Sequence, residues 1–336
     1  TAALLAYYIQ PGLRVPHAES LSTGITPFIH TSAAPFTGLK DLLLNLVPQN
    51  PIEALAKRDL VPVIIFTMIL GAAMALIGET ARPFIGFFEA VFAATMRIVD
   101  WVMIFAVPGV FALTFTAISH SGVGLIPKMM PFMGCLLLAL CTQVLVVYPI
   151  LLYTLARINF LHLYRAVSEA ILVAFGTASS SATLPVTMAC IERRAGVSNR
   201  IASFVVPTGV SMNMNGTTMF EVIAVMFLAQ LYGIPLTFQT VVAIVVLAII
   251  ASIGAAGVPS AGMITMALIL NGIGGFRPEQ VVEGLSLLWA VDRVLDMCRT
   301  TVNVIDDCVV SALVAAGEGE LNRAVLTTGP AWDDVV

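Results

Sequence analysis

Apolar residues run in long blocks through the first half of this chain, and charged residues rarely interrupt them. Blocks that approach the roughly 20 residues of a bilayer crossing predict membrane helices. They cover Leu60–Ile77, Ile85–Ala117 (either tilted or kinked near Pro108) and Met133–Leu155. The opening TAALLAYYIQPG has the pattern of the last turns of another membrane helix, so we expect a fragment that lacks its first helices. The stretch from Gly12 to Arg58 predicts a loop with one surface helix, Leu39–Leu46.

The pattern changes after Asn159, where two apolar segments are each interrupted in the middle. The first has the arms Ala166–Phe175 and VTMACI around the tip GTASSSATLP, and the second has the arms VVAIVVLAII and MITMALIL around ASIGAAGVPSAG. Every arm is too short to cross a bilayer. Irregular backbone at membrane depth is tolerated only inside protein or beside a watery cavity, so these segments predict re-entrant hairpins. A pair of such segments is a sequence indication of a transporter's binding site.

A long helix is predicted after each hairpin. The first, Ile201–Leu231, contains SMNMNGTT, and we expect it to unwind there because Asn and Gly are poor residues for a helix interior. Unwinding frees backbone carbonyls that can bind a cation. The second helix covers Ala290–Val310. The order hairpin, helix, hairpin, helix is an internal repeat of architecture, although the two copies share little sequence.

The second of these helices carries a stripe of polar residues. Five of them fall within an arc of roughly 80° on a helix that turns 100° per residue: Asp292, Asp296, Arg299, Asn303 and Asp307. A charged side chain at mid-bilayer costs roughly 2.5–3.5 kcal/mol, so the stripe must face a protein interior. With Arg293 and Asp306 included, four Asp and two Arg give this helix a formal charge of −2, which favours a site that takes up cations.

Composition agrees with a membrane protein. The chain is 59% hydrophobic and 11% charged, and its mean hydropathy is +0.97. Basic residues form no run longer than two, which gives nucleic-acid binding no support. The five cysteines form no CxxC pair and indicate small buried packing residues, and the histidines lie far from the polar helix, so a zinc site is not expected.

Four motifs, in order, resemble the glutamate transporter family of dicarboxylate and amino acid:cation symporters: FGTASSSATLPVTM, VPTGVSMNMNGTTMFE, SIGAAGVPSAG and AVDRVLDMCRTTVNVIDD. The resemblance covers essentially the whole chain. It implies an all-α integral membrane protein, a multi-span transporter with two re-entrant helical hairpins and an unwound helix. It also implies a homotrimer in the cell membrane that works by an elevator mechanism, with a mobile transport domain sliding against a scaffold.

Domain boundaries follow from the pattern and the resemblance together. Residues 1–12 would end a truncated membrane helix, and residues 13–132 would form an extracellular loop and scaffold-type helices. Residues 133–318 would form the transport core, and residues 319–336 the C-terminal tail. Arginines that flank the first hairpin suggest that its ends face the cytoplasm.

The resemblance also assigns substrate-binding residues for aspartate or glutamate. Arg299 would hold the side-chain carboxylate and Asp296 the α-amino group, and Thr217 would bind the carboxylate region. A guanidinium is a planar, permanently charged fork that suits a carboxylate. The other implied residues are Ser179, Ser180 and Ser181 in the first tip, Val258 and Gly262 in the second, and Thr300 and Asn303 on the polar helix.

Sodium ions are the implied co-transported species, and oxygen ligands suit them. One site would use Gly209, Asn213, Asn303 and Asp307, and a second would use Ser211, Ser252, Ile253 and Ala255. Two residues depart from the family pattern: Asn215 stands where a carboxylate of a third sodium site is usual, and Asp306 where a Gly is usual. Glu221 matches the position of a proton-carrying Glu, so H⁺ is a further candidate for coupling.

Other interpretations remain open at this point. A proton-coupled dicarboxylate or neutral amino acid symporter would share the fold, and an anion channel is a further alternative. An intramembrane hydrolase with Ser180 as nucleophile lacks both a histidine within a span and a GxSxG elbow. The serine run could equally cap a helix or pack closely, and Asp292 or Arg293 could form a purely structural pair. The motifs favour a transporter over an enzyme.

Overall fold

The computed structural model describes residues 1–15, 48, 50–57, 60–103, 125–255, 257–273 and 275–328. Within these ranges the chain is helical, and the only β geometry there is an isolated bridge between Val197 and Leu321. The all-α class is therefore confirmed. The predicted surface helix Leu39–Leu46 and the kink near Pro108 lie outside the described residues.

The α-helices are numbered here in chain order. They are α1 Ala2–Ile9, α2 Pro51–Lys57, α3 Leu60–Ile77, α4 Arg82–Met103, α5 Leu125–Thr142, α6 Tyr148–Ala156, α7 Phe160–Ala166, α8 Ser168–Thr177, α9 Ser180–Arg193, α10 Asn199–Met212, α11 Asn215–Leu231, α12 Phe238–Ile253, α13 Ala261–Ile273, α14 Pro278–Gly317 and α15 Arg323–Thr328. A π-helical turn, Gln143–Val147, joins α5 to α6, and a 3₁₀ turn, Gly78–Ala81, joins α3 to α4.

Four helical stretches of the described chain are long and apolar enough to cross a membrane. They are Pro62–Thr95, Met129–Ala156, Asn199–Leu231 and Pro278–Gly317. The predicted crossing at Leu60–Ile77 matches α3, and the one at Met133–Leu155 lies inside the second stretch. The predicted crossing Ile85–Ala117 begins earlier than expected, at Arg82, and its described part ends at Met103.

Both interrupted segments form helical hairpins. The first consists of α8 and α9, whose tip is Ala178 and Ser179, and the second consists of α12 and α13. The second arm of the first hairpin begins earlier than predicted, because α9 has 14 residues and includes most of the serine run, but it is still shorter than a bilayer crossing. Pro185 lies in its second turn without ending it. An N-terminal cap at Ser179 lets the helix begin inside the predicted tip.

The predicted break in the following helix is confirmed. α10 ends at Met212, Asn213 and Met214 have non-helical backbone angles, and α11 starts at Asn215. α11 is buried along nearly its whole length, so it forms the centre of the core against which α5, α12 and α14 pack.

The polar helix is longer than predicted. α14 has 40 residues, from Pro278 to Gly317, because the apolar segment before Ala290 continues the same helix without a break. Arg277 precedes it in a capping-box arrangement with Gln280. Among the cysteines, Cys135, Cys190 and Cys308 are buried as predicted, but Cys141 is exposed on α5. The division into scaffold and transport parts remains a prediction.

Candidate functional site

The tips of the two hairpins touch each other. The Ser179 hydroxyl donates to the Gly257 carbonyl oxygen over 2.7 Å, and the Ser181 N–H donates to the same oxygen over 3.2 Å. Ser179 also caps α9, because its oxygen accepts from the Ala182 N–H at 3.1 Å. The capping interpretation of the serine run is therefore correct for Ser179, and this residue joins the two hairpins as well.

A small cavity lies beneath the joined tips and is bounded by α11 and α14. Its lining includes seven of the ten predicted substrate residues: Ser180, Thr217, Val258, Gly262, Asp296, Thr300 and Asn303. Ala178, Met214, Gly257 and Ala261 complete the wall. The two hairpin tips, α11 and α14 thus bring the predicted residues together. Ser179 and Ser181 lie in the contact between the two tips, above the cavity.

Arg299 does not itself line this cavity but is buried behind Gly262, which does, and 1% of its surface is exposed. Its Nη2 donates to Asp292 Oδ1 over 2.8 Å and to Asp296 Oδ1 over 2.7 Å, and its guanidinium carbon lies 3.8 Å from the centre of the Phe220 ring. Nε and Nη1 have no hydrogen-bond partner. A Cβ atom on the cavity-lining Gly262 would lie 3.2 Å from Nη1, so this free donor sits beside the cavity. The arrangement leaves donors available to a carboxylate.

Asp292 and Ser260 belong to the site although the substrate assignment omits them. Asp292 is 2% exposed and forms one of the two ion pairs of Arg299. The Ser260 N–H donates to Asp296 Oδ2 over 2.8 Å, which ties the second tip to α14. The signal for Asp292 was in the sequence, because it lies two helical turns before Arg299 on the same stripe. The signal for Ser260 was absent, since a backbone donor leaves no trace in residue type.

The buried charges of α14 are unbalanced. Arg293 is only half-buried, so four buried aspartates (Asp292, Asp296, Asp306 and Asp307) face one buried cation, Arg299. That is a formal charge of −3 if all are ionised. Buried charges are costly unless they are paired, so the site favours the uptake of cations.

Glu221 is fully buried on α11, and its Oε1 accepts from the Thr265 hydroxyl on α13. Oε2 has no partner. This contact links the predicted proton carrier directly to the second hairpin. Sequence reasoning missed Thr265, because an isolated threonine in an apolar helix carries no distinctive pattern.

Three of the four predicted residues of the first sodium site, Gly209, Asn213 and Asp307, come together. Asn213 Nδ2 donates to Asp307 Oδ1 over 3.2 Å, and a Cβ atom on Gly209 would lie 2.3 Å from that same oxygen. Asp307 Oδ2 is buried without a partner. A groove bounded by α10 and α14 reaches these residues. Asn303, one turn earlier, instead joins α14 to α11, because Oδ1 accepts from the Gly216 N–H at 2.7 Å and Nδ2 donates to Thr217 at 3.1 Å.

The second predicted sodium group is only partly assembled. Ser252 is buried and accepts from the Thr218 hydroxyl at 2.6 Å, and Ala255 is buried next to it. Ile253 is half-buried. Ser211 is exposed, and no hydrogen bond among the described residues joins it to α12. Asn215, predicted at a third site, is exposed and donates to Asp306.

Gly216 allows α11 to start directly against α14. A Cβ atom at this position would lie 2.5 Å from the Arg299 carbonyl oxygen, which is backbone and cannot rotate away. We expect Gly216→Ala to lower the free energy of unfolding by about 1–3 kcal/mol, the usual cost of overpacking. Thermal denaturation of the purified protein measures this. Gly134→Ala on α5, where a Cβ atom meets nothing within 4 Å, is the control, and an equal melting temperature for both variants would contradict the prediction.

Comparison with known proteins places this sequence in a family. The model of the sodium:dicarboxylate symporter family matches residues 1–316. The proton/sodium-glutamate symport protein of Geobacillus stearothermophilus is 32% identical over 323 residues, which are 95% of this chain and 75% of that protein. The C4-dicarboxylate transport protein of Rhodospirillum rubrum is 35% identical over 88% of this chain and 64% of its own length. Excitatory amino acid transporter 3 of Mus musculus is 37% identical over 75% of this chain and 47% of its own length.

These similarities and the membrane-length helices support the same conclusion as the four motifs. The family is one of symporters, which confirms the prediction of a membrane transporter and not an enzyme. The matched residues include both hairpins, the broken helix and the polar stripe of α14. The chain belongs to the sodium:dicarboxylate symporter family.

Proposed function

We propose that this protein is a secondary active symporter that moves aspartate or glutamate across the membrane together with Na⁺. The observation that carries the proposal is Arg299, whose Nε and Nη1 are unpartnered and whose Nη1 lies behind Gly262 in the wall of a cavity between two hairpin tips. A buried guanidinium fork suits a carboxylate, and Asp296 on the same wall suits a substrate ammonium group. Ser180, Thr217, Thr300 and Asn303 supply polar groups around the rest of the cavity.

Cation coupling follows from the same charges. The substrate brings a net negative charge into a site whose aspartates already outnumber its arginine, so the loaded site gains from cations that enter with it. Asp307 with its unpartnered Oδ2 is the first ligand that we assign to Na⁺, with Asn213 and Gly209 beside it and Asn303 one turn earlier on the same helix. Ser252, Ile253, Ala255 and Ser211 would form the second site. A homotrimer in which the hairpin-bearing core moves as a unit is part of this proposal.

A C4-dicarboxylate is the second candidate substrate. Both oxygens of Asp296 already accept hydrogen bonds, from Arg299 and from the Ser260 N–H, so this carboxylate is less available to a substrate ammonium group. A dicarboxylate needs only donors, and the free donors of Arg299 meet that need. The related protein of Rhodospirillum rubrum is named as a C4-dicarboxylate transport protein.

Uptake by proteoliposomes tests these assignments. Radiolabelled aspartate and succinate would be offered separately, with and without an inward Na⁺ gradient. We expect Na⁺-driven aspartate uptake that unlabelled glutamate inhibits. Uptake of succinate but not aspartate would select the dicarboxylate, and uptake of neither under any cation gradient would overturn the proposal.

Glu221 is the residue that we assign to proton coupling. It is buried, it contacts the second hairpin through Thr265, and it lies near enough to Arg299 to interact electrostatically. We expect wild-type uptake to fall as the external pH rises and protons become scarce. The Glu221→Gln variant, which keeps the hydrogen bond to Thr265 without a titrating group, should lose this dependence. An unchanged pH profile of initial uptake rates in the variant would contradict the assignment.

A further inference from the structure

The segment that follows the polar helix pairs with the loop after the first hairpin. We call this segment, residues 318–323, the clasp; it runs from the end of α14 to the first residue of α15. Val197 in the loop forms the isolated antiparallel bridge with Leu321 in the clasp. Two backbone hydrogen bonds flank the bridge: the Ser198 N–H donates to the Glu320 carbonyl oxygen over 3.2 Å, and the Asn322 N–H donates to the Gly196 carbonyl oxygen over 2.7 Å. The loop and the clasp therefore form a short two-stranded ladder.

Side chains hold this ladder together at Glu320. Its Oε2 accepts from the Ser198 hydroxyl, and its Oε1 lies 3.2 Å from Arg200 Nη1. The two strands approach closely because Gly196 has no side chain: a Cβ atom there would lie 2.5 Å from the Asn322 carbonyl oxygen. Gly196 also has a φ of 74°, in the left-handed region that glycine adopts without strain. The residues on both sides thus fit a closed contact.

Arg323, the last residue of the clasp, joins it to a further helix. Its Nη2 donates to the carbonyl oxygen of Ala156, the last residue of α6, over 2.7 Å. The last carbonyls of a helix have no partner within the helix, and a cation is favoured beside them. The clasp therefore connects three elements: the end of α14, the loop between α9 and α10, and the end of α6.

The clasp lies at the far end of the helix that carries Ser180. α9 begins at Ser180, in the cavity wall, and ends at Arg193, beside the loop of the ladder. Arg194 Nη2 lies 2.8 Å from Glu169 Oε2 in the first turn of α8, so the two arms of the hairpin are also joined at their base. A helix of this length spans about 20 Å, so a tilt of about 3° at the base moves Ser180 by about 1 Å. Misplacement on that scale is enough to weaken a polar contact with a ligand.

We propose that the clasp positions the first hairpin for substrate binding. Glu320 and Arg323 hold the base of α9 to α14 and α6, and they thereby keep Ser180 in the cavity wall throughout the transport cycle. No residue of the clasp lines the cavity, so both act through α9. The inference rests on the proposed function in that it takes this cavity as the substrate site.

The first test is whether the clasp and Ser180 act together. We expect Glu320→Ala with Arg323→Ala to raise the KM for aspartate about tenfold, with a smaller change in kcat, because a displaced Ser180 binds the substrate less well. In a Ser180→Ala background the same two substitutions should raise KM little further, since the group that they position is already gone. An unchanged KM, or a rise of equal size with and without Ser180, would overturn the proposal. Glu318→Ala, at an exposed position of the clasp, is the matched control and should keep the wild-type KM.

A disulfide across the bridge tests whether the clasp stays closed during transport. Val197 and Leu321 form a non-hydrogen-bonded antiparallel pair, whose Cα atoms are about 4.5 Å apart, within the range that a disulfide spans. We expect Val197→Cys with Leu321→Cys, oxidised by copper phenanthroline in proteoliposomes, to take up aspartate as fast as the reduced protein. Uptake that oxidation abolishes and a reductant restores would overturn the proposal, as would failure of the disulfide to form. Each single variant, oxidised in the same way, reports any effect on the native cysteines.

Hydrogen exchange separates this inference from the proposed function, because it needs no substrate. Backbone amides of α9 should exchange faster in Glu320→Ala with Arg323→Ala than in Glu318→Ala, since the helix has lost its hold at the base. Equal exchange rates would overturn the role of the clasp. If the amides respond as expected while the wild type takes up neither aspartate nor succinate, the proposed function fails and the hold of the clasp on α9 is supported.

Discussion

Replacing Arg299 with cysteine is expected to lower the uptake of acidic substrates at least about 100-fold. Removing one partner of a buried charge pair costs roughly 3 kcal/mol or more, and each 1.4 kcal/mol of binding free energy is about a factor of ten. Two effects add. The substrate carboxylate loses the free donors Nε and Nη1, and Asp292 and Asp296 lose the cation that both of them pair with. Arg299→Lys should give an intermediate loss, since an ammonium keeps the charge but not the fork. Initial rates of radiolabelled aspartate uptake at subsaturating concentration measure this.

Arg293→Gln is the control for this prediction, because Arg293 is on the same helix but only half-buried. It should transport at close to the wild-type rate. Size-exclusion chromatography of each purified variant separates a lost site from a lost fold. Acidic substrate uptake that survives in a folded Arg299→Cys protein would show that Arg299 does not hold the carboxylate.

Replacing Asp307 with asparagine is expected to raise the half-saturating Na⁺ concentration by more than about tenfold. In the wild type, Asp307 Oδ2 is buried without a partner and can serve as an anionic ligand. The substitution keeps the size of the side chain but removes this negative charge. The rise in melting temperature that Na⁺ gives the wild type should be largely lost as well, because a ligand stabilises only the state that binds it. Uptake and thermal denaturation over a NaCl series, with choline chloride to hold the ionic strength, measure both effects.

Glu318→Gln, at the exposed C-terminal end of α14, is the matched loss of one carboxylate and should behave as the wild type. The site assignment would be wrong if Asp307→Asn kept the wild-type response to Na⁺.

The features of this chain that depend on local pattern could be predicted from the sequence. Charges in the stripe of α14 cannot face lipid, so the burial of Asp296, Arg299 and Asp307 follows from the arithmetic of the helix alone. The break before Asn215 follows from helix propensity, and the hairpins follow from arms too short to cross a bilayer. The errors lie at boundaries, as in α9 and α14, where a cap or a continuing apolar segment made a helix begin before its predicted start.

What the sequence by itself determined is that two hairpins, a broken helix and a charged helix must share one interior. Only the tertiary structure decided the partners within it: the Ser260 N–H with Asp296, Thr265 with Glu221, and the Gly257 carbonyl with the first tip. The physical reason is that the cost of exposing a charge is a local property of the sequence, whereas the choice of a hydrogen-bond partner is not. The cost of exposing a charge to lipid depends on one residue and its position along a helix. A hydrogen bond between residues 44 or 78 positions apart depends on how the helices pack against one another.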